Sequence, residues 1–513
     1  MLQIKGLCIT HKHDLRSILS NFSLTINPGD KAVIIGEEGN GKSTLLRYIY
    51  DPDMIADYTE IRGERIITNE RLGYLPQELS KEDSNKTVYE FFSKSDMFFI
   101  KTPGELAKLS GKMKLPADCY YSDQLMGSLS GGEKIKIELL KLLIEDPTIL
   151  LLDEPSNDID IDTLIWLNEF ILTSKQAIIY VSHDEVLIEN TANMVIHIEQ
   201  LKRKSVSRYT VVRMPYTEYI AYRSSNIRNQ EELAISQRKE QKVKDEKLKR
   251  IYQKVDYAQA TITRQDAHGG QLLKKKMHVV KAMEHRYERE KEDFVEIPET
   301  ESAIFTKIGS DLSVVPSGKT VIDLSIPTLM CEDGSRILAS NINLLLRGPE
   351  KICITGKNGC GKTTLIKKIA EELLSRTDIK AIYMPQNYTD VLDENLSPVR
   401  FLAPDGKKAD ITKVRTYLGS MKFTPDEMDH SIGNLSGGQK AKILLLKMSL
   451  SEANVLILDE PTRNFSPLSG PVIRTLLHDY KGAIISVSHD RKYIEEVCDR
   501  VYSLTADGLT LSL

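Results

Sequence analysis

The chain has 513 residues, a formal net charge of −4, and 41% hydrophobic and 28% charged residues, a composition typical of a soluble globular protein with room for two or three domains. Six scattered cysteines form no CxxC pair, which argues against a disulfide framework, a zinc ribbon or an iron–sulfur cluster and favours a reducing cytoplasm. The first residues do not resemble a signal peptide and no long apolar run occurs, so we expect a cytoplasmic chain without a membrane span.

The first functional motif follows a short apolar strand at residues 31–35 and opens a helical pattern. It fits G-x-x-x-x-G-K-[ST] and comprises Gly36, Glu37, Glu38, Gly39, Asn40, Gly41, Lys42 and Ser43, with Thr44 next. Glycines in such a loop let backbone N–H groups close around phosphate oxygens, and the helix N-terminus adds its dipole. We therefore expect Lys42 to reach the outer phosphates of a nucleotide and Ser43 to hold Mg²⁺.

Two further motifs lie downstream in the first half. An apolar strand at residues 148–152 ends in Asp153 and Glu154. One carboxylate there can bind Mg²⁺ through a water, and the next can orient or deprotonate an attacking water. Residues 129–133 place Ser130, Gly131 and Gly132 at a helix start, a combination that forms an anion-binding nest. Alone, each motif is common as a solvated loop or a capped helix start; behind a phosphate-binding loop we interpret both as functional.

The second half repeats the pattern. In both halves 24 residues separate the nest serine from the strand-end glutamate, and 29 separate that glutamate from a later histidine, His183 or His489. The repeated residues are Gly356, Lys357, Asn358, Gly359, Cys360, Gly361, Lys362, Thr363 and Thr364, then Ser436, Gly437 and Gly438, then Asp459 and Glu460. We interpret Cys360 as a tolerated small side chain rather than a redox switch.

This set of motifs resembles the ATP-binding cassette (ABC) ATPases. The resemblance implies an α/β fold with two tandem P-loop nucleotide-binding domains that use ATP and Mg²⁺. It makes Glu154 and Glu460 the catalytic carboxylates, and it makes His183 and His489 the contacts to the γ-phosphate. Residues 129–133 match the signature and residues 156–160 the D-loop. The implied Mg²⁺ ligands are Ser43, Gln77 and Asp153 in one half and Thr363, Gln386 and Asp459 in the other.

In ABC ATPases the signature of one cassette caps the γ-phosphate held by the other cassette. The resemblance thus implies composite sites that pair residues 36–44 with Ser436 and residues 356–364 with Ser130, in a monomer whose cassettes close on each other. The second D-loop has Ser466 where an Asp is expected, so we expect unequal turnover at the two sites. His11 and His13 are the candidates to stack on adenine in the first site.

Residues 216–298 separate the two halves and resemble neither. Their middle, residues 238–286, carries 14 Lys and Arg against 6 Asp and Glu. Apolar residues recur there at helical spacing in two seams, Leu248, Ile251, Tyr252 and Val255 and then Leu273, Met277, Val280, Met283 and Tyr287. We expect a helical hairpin with its tip near residues 259–272, where Gly269 and Gly270 would break the helix. The predicted domains are residues 1–212, 213–300 and 301–513.

A basic rod suits a phosphate backbone, although a solvated linker is the alternative. Two fused cassettes joined by such a hairpin, with no membrane span, resemble the ABC-F family. That resemblance implies binding at the ribosomal exit (E) site, with the hairpin along the peptidyl-site (P-site) tRNA and pointing toward the peptidyl transferase centre. The expected contacts to tRNA and large-subunit rRNA are Lys242, Lys244, Lys247, Lys249, Arg250, Arg264, Lys274, Lys275 and Lys276.

Within ABC-F, the missing arm insertion, the short stretch after His489 and the long linker favour the antibiotic-resistance, ribosome-protection type. The second D-loop is similar to that of Lsa/Vga-type proteins, which counter lincosamides, pleuromutilins and streptogramin A. ATP hydrolysis would drive release, and a tip this polar favours indirect displacement of the drug. The alternatives are a housekeeping translation factor, an ATPase subunit serving a membrane partner and a DNA-repair ATPase.

Overall fold

The computed structural model describes residues 1–201, 206–261, 267–292, 314–331, 334 and 336–512. The chain divides into two compact units. The larger unit combines Met1–Tyr216 with Glu301–Leu513, and the smaller unit is Thr217–Thr300. The larger unit contains two α/β cassettes, one from each half of the chain, and the smaller one contains two long helices.

The first cassette is built on two sheets. Its strands are β1 (Leu2–His11), β2 (Ser17–Ile26), β3 (Lys31–Ile35), β4 (Thr59–Ile67), β5 (Leu72–Leu75), β6 (Ile149–Asp153), β7 (Ala177–Val181), β8 (Met194–Leu201) and β9 (Val206–Val212). The antiparallel sheet has the order β2-β1-β4, and the six-stranded sheet has the order β5-β6-β7-β3-β8-β9. β3, β6 and β7 are buried at every residue, as expected for parallel strands covered on both faces.

Short helices connect these strands. They are α1 (Lys42–Tyr50), α2 (Asp53–Ala56), α3 (Lys81–Ser84), α4 (Val88–Ser93), α5 (Asp96–Ile100), α6 (Pro103–Lys112), α7 (Gly131–Ile144), α8 (Ile161–Thr173) and α9 (Glu185–Thr191). α3 to α6 form the small helical subdomain between Gln77 and Ser130. Ser130 caps α7 in a capping box with Glu133, so the signature motif begins a helix as the sequence predicts.

The smaller unit is formed by α10 (Tyr216–Thr261) and α11 (Ala267–Glu292). Val255, Val280 and Tyr287 are buried along these helices and Leu248, Ile251, Met277 and Met283 are half-buried, so the predicted apolar seams are confirmed in part. Tyr252, however, is 41% exposed. Lys244 on α10 pairs with Glu290 on α11 at 2.8 Å between nitrogen and oxygen. This ion pair and the buried apolar residues place the two helices in contact with each other.

The predicted helix break at Gly269 and Gly270 is wrong, because both glycines lie within the first turn of α11. A first turn has N–H groups without partners inside the helix whatever its side chains, and a glycine costs a helix only about 1 kcal/mol relative to alanine. α10 ends at Thr261 and α11 begins at Ala267. Residues 262–266, including the predicted contact Arg264, lie outside the described residues.

The second cassette repeats the first. Its strands are β10 (Thr320–Met330), β11 (Ile337–Arg347), β12 (Lys351–Thr355), β13 (Ala381–Met384), β14 (Val455–Asp459), β15 (Ala483–Val487), β16 (Arg500–Thr505) and β17 (Gly508–Leu511). Its helices are α12 (Lys362–Ser375), α13 (Pro398–Leu402), α14 (Lys408–Ser420), α15 (Pro425–Asp429), α16 (Gly437–Leu450), α17 (Gly470–His478) and α18 (Arg491–Val497). The six-stranded order is β13-β14-β15-β12-β16-β17, the same as in the first cassette.

Each cassette buries its antiparallel strands against one face of its six-stranded sheet and the helix that follows the P-loop. In the first, Phe22, Ile34 and Leu46 share one core. In the second, Ile342 and Ile354 do the same with neighbouring residues of α12. None of the helices in the described part of the chain is both long and apolar enough to cross a membrane.

Away from the P-loops, a buried ion pair joins the two cassettes. Arg474 on α17 donates to Glu185 on α9 at 2.7 and 3.1 Å, and the two residues are only 3% and 8% exposed. Glu496 accepts from the same guanidinium at 2.6 Å, and Lys492 lies 3.3 Å from Glu185. Gly470 is required here, because a Cβ atom at this position would lie 2.2 Å from a Glu185 oxygen.

We expect Arg474→Met to lower stability by about 3–5 kcal/mol, because it leaves the Glu185 carboxylate buried without its bidentate partner. Thermal unfolding of the free protein measures this. The matched control is Arg474→Met combined with Glu185→Leu, which removes both charges and should recover most of the loss. If the double variant is as unstable as the single one, the stability that this contact provides comes from packing and not from the pairing of charges.

Candidate nucleotide-binding sites

The first P-loop runs from the end of β3 to the start of α1, as the sequence predicts. Its backbone requires glycine: Gly36 has φ 149°, and a Cβ atom there would lie 2.4 Å from the Ile198 carbonyl oxygen. Lys42 is buried, and its ammonium donates to the Gly36 and Glu37 carbonyls at 2.9 and 3.2 Å. The loop thus folds around its own lysine, which bonds to two of the loop's carbonyl oxygens.

The second P-loop has the same geometry between β12 and α12. Lys362 donates to the Gly356 and Lys357 carbonyls at 2.9 Å each. Gly361 precedes the helix with φ 100°, as Gly41 does with φ 94° in the first loop. Both loops are therefore preformed phosphate cradles at the N-terminus of a helix.

The predicted metal ligands lie together in each cassette. Ser43 donates to Asp153 at 2.9 Å, and burial raises the pKa of this aspartate. In the second cassette, both carboxylate oxygens of the buried Asp459 lack a hydrogen-bond partner among the described residues. Burial raises the pKa of Asp459 to about 6. Such a carboxylate is costly to keep ionised unless a cation lies beside it.

A cavity of about 480 Å³ opens beside the second P-loop. The lining contains Lys362, Thr363, Thr364, Gln386, Asp459, Glu460 and His489 from the second cassette, together with Asp158 from the first. The second P-loop, its strand-end carboxylates, Gln386 and His489 therefore surround a single space, and one wall of that space comes from the opposite cassette.

Glu154 and Glu460 share an uncommon backbone conformation. Their φ angles are 52° and 54°, in the left-handed region that a residue with a side chain rarely adopts. Each follows the last residue of a buried strand, and its N–H donates to the end of the neighbouring strand, at Val181 or Val487. Conformations of this kind persist where the surrounding structure enforces them, and they are concentrated at functional sites.

The two glutamates have different surroundings. Glu154 accepts from Asn157 at 2.5 Å, from Gln77 at 3.4 Å and from the His183 ring at 3.1 Å. Burial alone would raise the pKa of Glu154, but the hydrogen bond and charge of His183, with Lys42, lower it to about 2. The first glutamate is thus held ionised among donors.

Glu460 has fewer donors. It accepts from the His489 backbone N–H at 3.4 Å and from the Ser488 hydroxyl at 3.5 Å, whereas the His489 ring is 3.9 Å away. Burial and the neighbouring Asp459 raise the pKa of Glu460 to about 8. Burial and Lys362 lower the pKa of His489 to about 4. In the second cassette, the same motif therefore gives a glutamate and a histidine that are poorly solvated and only weakly hydrogen-bonded.

His183 contacts both cassettes. Its Nε2 lies 3.1 Å from Glu154, and its Nδ1 lies 2.6 Å from the carbonyl oxygen of Phe465 in the second D-loop. A carbonyl only accepts, so Nδ1 carries the hydrogen there. The counterpart Nδ1 of His489 is buried without a hydrogen-bond partner among the described residues.

Both P-loops meet the opposite cassette. The N–H of Gly438 in the second signature donates to Glu38 of the first P-loop. Asn358 of the second P-loop donates to the Asp158 carbonyl of the first D-loop at 2.6 Å, close to Gly131 of the first signature. The structure thus places each P-loop against the opposite cassette, through Gly438 at the first loop and through Asp158 at the second, and the predicted pairings with Ser436 and Ser130 stay predictions.

Two arginines at the P-loops were missed by the sequence reasoning. Arg16 donates to the Gly39 carbonyl at 3.3 Å, and Arg336 donates to the Gly359 carbonyl at 3.2 Å. A signal existed, because each arginine lies 20 residues before the first glycine of its P-loop. By contrast, His11 pairs with Asp14 at 2.8 Å. Its contact with adenine stays a prediction.

Comparisons with known proteins agree with this geometry. Residues 19–157 and 339–463 match the ABC transporter family. ABC transporter F family member 2 of Arabidopsis thaliana is 24% identical over 550 residues, covering 98% of this chain and 76% of the relative. The uncharacterized ABC transporter ATP-binding protein YkpA of Bacillus subtilis is 28% identical over 540 residues, covering 96% and 93%.

Among solved structures, the chain is similar in fold to the complex of archaeal ribosomal stalk protein aP1 and archaeal ribosome recycling factor aABCE1. The TM-score is 0.58 at 16% identity, with 98% of this chain and 90% of that chain covered. The family match spans just over half of the chain and includes both P-loops and both strand-end glutamates up to Glu154 and Glu460. The chain therefore belongs to the ABC transporter family, and it is an ATPase with two tandem ABC nucleotide-binding domains.

Proposed function

We propose that this chain is an ABC-F-type ATPase that acts on the ribosome, where ATP binding closes its two cassettes and hydrolysis releases it. The observation that supports this most strongly is the basic helical unit between the two cassettes, a feature that ATP hydrolysis alone does not require. The proposed domain limits are the predicted ones, residues 1–212, 213–300 and 301–513. Similarity to an F family member along nearly the whole chain supports the assignment.

Each P-loop would bind the phosphates of one ATP through its backbone N–H groups and its lysine. The proposed Mg²⁺ ligands are Ser43, Gln77 and Asp153 at one site and Thr363, Gln386 and Asp459 at the other. Asp459 supports this fit, because its two buried oxygens have no other hydrogen-bond partner among the described residues. When bound, Mg²⁺ would neutralise phosphate charge that develops during hydrolysis.

Glu154 and Glu460 would position and deprotonate the attacking water, and both have the same left-handed backbone conformation at the end of a buried strand. His183 and His489 would donate to the γ-phosphate. Ser130, Gly131 and Gly132 would cap the nucleotide on the second P-loop, and Ser436, Gly437 and Gly438 the one on the first. Closure of the cassettes then depends on nucleotide at their shared faces.

The helical unit would bind RNA through its exposed cations. Lys242, Lys247, Lys249, Arg250, Lys274, Lys275 and Lys276 are all exposed on α10 and α11. Lys244 differs, because its ammonium is paired with Glu290, so we assign it mainly to holding the two helices together. A fold similar to that of a ribosome recycling factor is consistent with a ribosomal partner, with large-subunit rRNA and P-site tRNA as the proposed contacts.

Two versions of this function differ in what the linker tip does. In the first, the tip displaces or counters a bound lincosamide, pleuromutilin or streptogramin A near the peptidyl transferase centre. In the second, the protein is a housekeeping translation factor for stalled ribosomes. The similarity to the plant relative supports the second version at least as well as the first, because it extends over both cassettes and the linker.

The double variant Glu154→Gln and Glu460→Gln should bind ATP and lose nearly all hydrolysis, because both bases are removed while both P-loops remain. Phosphate release by the purified protein measures this. The two single variants should retain unequal rates, because Asn157 and His183 hold Glu154 whereas Glu460 has only weak donors. Wild-type hydrolysis by the double variant would contradict the proposed roles, and equal single-variant rates would contradict the asymmetry.

Reversing Lys274, Lys275 and Lys276 to Glu should weaken binding to ribosomes and leave the ATPase rate of the free protein unchanged. Each lost phosphate contact should flatten the dependence of log K on log salt by about 0.7–0.9. Co-sedimentation with ribosomes across a salt series measures both effects. The matched control reverses Lys81, Lys108 and Lys112, three exposed lysines of the first cassette. An equal loss of ribosome binding in both triple variants would indicate a nonspecific charge effect. The linker would then be interpreted as a solvated connection between the cassettes.

Shortening residues 262–266 should distinguish the two versions of the function. If the tip protects ribosomes from drugs, a host carrying the shortened protein loses resistance to at least one large-subunit drug class, while ribosome binding and ATPase rate persist. Growth inhibition across ribosome-targeting drug classes measures this. If wild-type protein raises resistance to no class, the housekeeping function is supported instead. Arg264→Ala and Gln265→Ala should cause only graded losses if the tip acts by displacing tRNA.

A further inference from the structure

The two P-loops differ in the charge of two residues at equivalent positions. The first loop has Glu37 and Glu38, where the second has Lys357 and Asn358. A loop that holds a polyanion gains nothing from two carboxylates of its own, because like charges at close range repel. The remaining loop residues follow the same motif, so these two carboxylates need another explanation.

Both carboxylates of the first loop face the second cassette. Gly438 donates its N–H to Glu38, and a Cβ atom on Gly437 would lie 3.6 Å from the other Glu38 oxygen. These glycines are the first two residues of α16, whose N–H groups and dipole attract an anion. Glu38 is therefore an anion already bound in the signature nest.

Glu37 strengthens this attachment. Its carboxylate lies 3.2 Å from the Lys422 ammonium and 3.6 Å from the Lys442 ammonium, and Lys442 is buried. The cavity that Glu37 and Glu38 line with the second signature is only about 30 Å³. A space of that size holds a water molecule or two but no phosphate group.

The second P-loop lacks this arrangement. Asn358 donates to the Asp158 carbonyl at 2.6 Å, so its side chain faces a backbone oxygen and not a signature N–H group. Lys357 is exposed. The cavity beside this loop is about 480 Å³, as described above. The difference in space and charge thus follows the difference between Glu38 and Asn358.

We propose that Glu38 competes with the terminal phosphate of a nucleotide held on the first P-loop, so that this site selects a nucleoside diphosphate over a triphosphate. The inference rests on the proposed function, in which the second signature receives that terminal phosphate. The N–H groups at the start of α16 serve one anion at a time. A triphosphate must therefore displace the Glu38 carboxylate, whereas a diphosphate leaves it in the nest.

The test isolates the first site with Lys362→Ala, which removes the P-loop lysine of the second. Titrations of fluorescent mant-ADP and of a non-hydrolysable mant-ATP analogue, each with Mg²⁺, give the ratio of the two dissociation constants. Glu38→Asn, which copies the residue of the second loop, should shift this ratio toward the triphosphate by about tenfold, or about 1.4 kcal/mol. Glu38→Gln keeps the side-chain size and should shift it in the same direction.

Glu37→Gln is the matched control, because it removes a charge from the same loop and keeps the contact between Glu38 and Gly438. It should change the affinities of both nucleotides by a similar factor. The reciprocal variant, Asn358→Glu in a Lys42→Ala background, should shift the second site toward the diphosphate. Thermal unfolding without nucleotide checks that each variant is folded.

An unchanged ratio in folded Glu38→Asn and Glu38→Gln proteins would overturn the inference and leave the Glu38 contact as an ordinary interface hydrogen bond. A ratio that shifts equally in Glu37→Gln would overturn it as well, because loop charge alone would then explain the effect. If no variant binds either nucleotide at the first site, the proposed function of that P-loop fails, which is a separate result from an unchanged ratio.

Discussion

The pairing of each phosphate-binding loop with the opposite cassette is the constraint on which both sites depend. A P-loop can enclose phosphate from one side only, since its helix dipole and N–H groups point in one direction. In the structure the first loop faces the signature helix of the second cassette, and the second loop bonds to the D-loop of the first cassette. Glu38 with Gly438, and Asn358 with Asp158, are the contacts that fix this pairing. Residues of both cassettes therefore lie at each P-loop.

This pairing explains how nearly identical motifs acquire different chemistry. The same strand-end glutamate has its pKa lowered to about 2 at Glu154 and raised to about 8 at Glu460. Backbone geometry does not cause this, because the φ angles agree within a few degrees. The cause lies in the groups around each carboxylate. His183, which also contacts Phe465 of the other cassette, bonds to Glu154 and lowers its pKa, whereas burial and the neighbouring Asp459 raise the pKa of Glu460, from which the His489 ring is 3.9 Å away.

Much of the fold and of each half-site could be predicted from the sequence, because each motif lies at the carboxyl end of a buried apolar strand. The predicted strand at residues 31–35 matches β3 in its bounds, and the one at residues 148–152 matches β6 to within one residue at each end. A strand of five buried residues between polar turns has few alternative registers, which makes such predictions reliable.

Other features could not be predicted so readily, for physical reasons. A glycine indicates conformational freedom of the backbone but does not require a chain reversal. Gly269 and Gly270 therefore fit within the first turn of a helix as well as within a loop. The contact between Glu38 and Gly438 joins residues 400 positions apart, and no local pattern encodes it. The two arginines at the P-loops were detectable only by comparing equal spacings between the halves, since a lone arginine carries no local signal.

The two D-loops differ in how the following helix begins, and the second one contacts the opposite cassette. Asp160 caps α8 by accepting from the Thr163 N–H at 2.9 Å, so that helix begins seven residues after Glu154. Ser466 stands at the matching position but bonds to Ser469, and α17 begins ten residues after Glu460. That longer non-helical stretch contains Phe465, whose carbonyl accepts from the His183 ring of the first cassette. The second D-loop therefore contributes a contact to the histidine of the opposite half of the chain, which a comparison of D-loop sequences alone does not show.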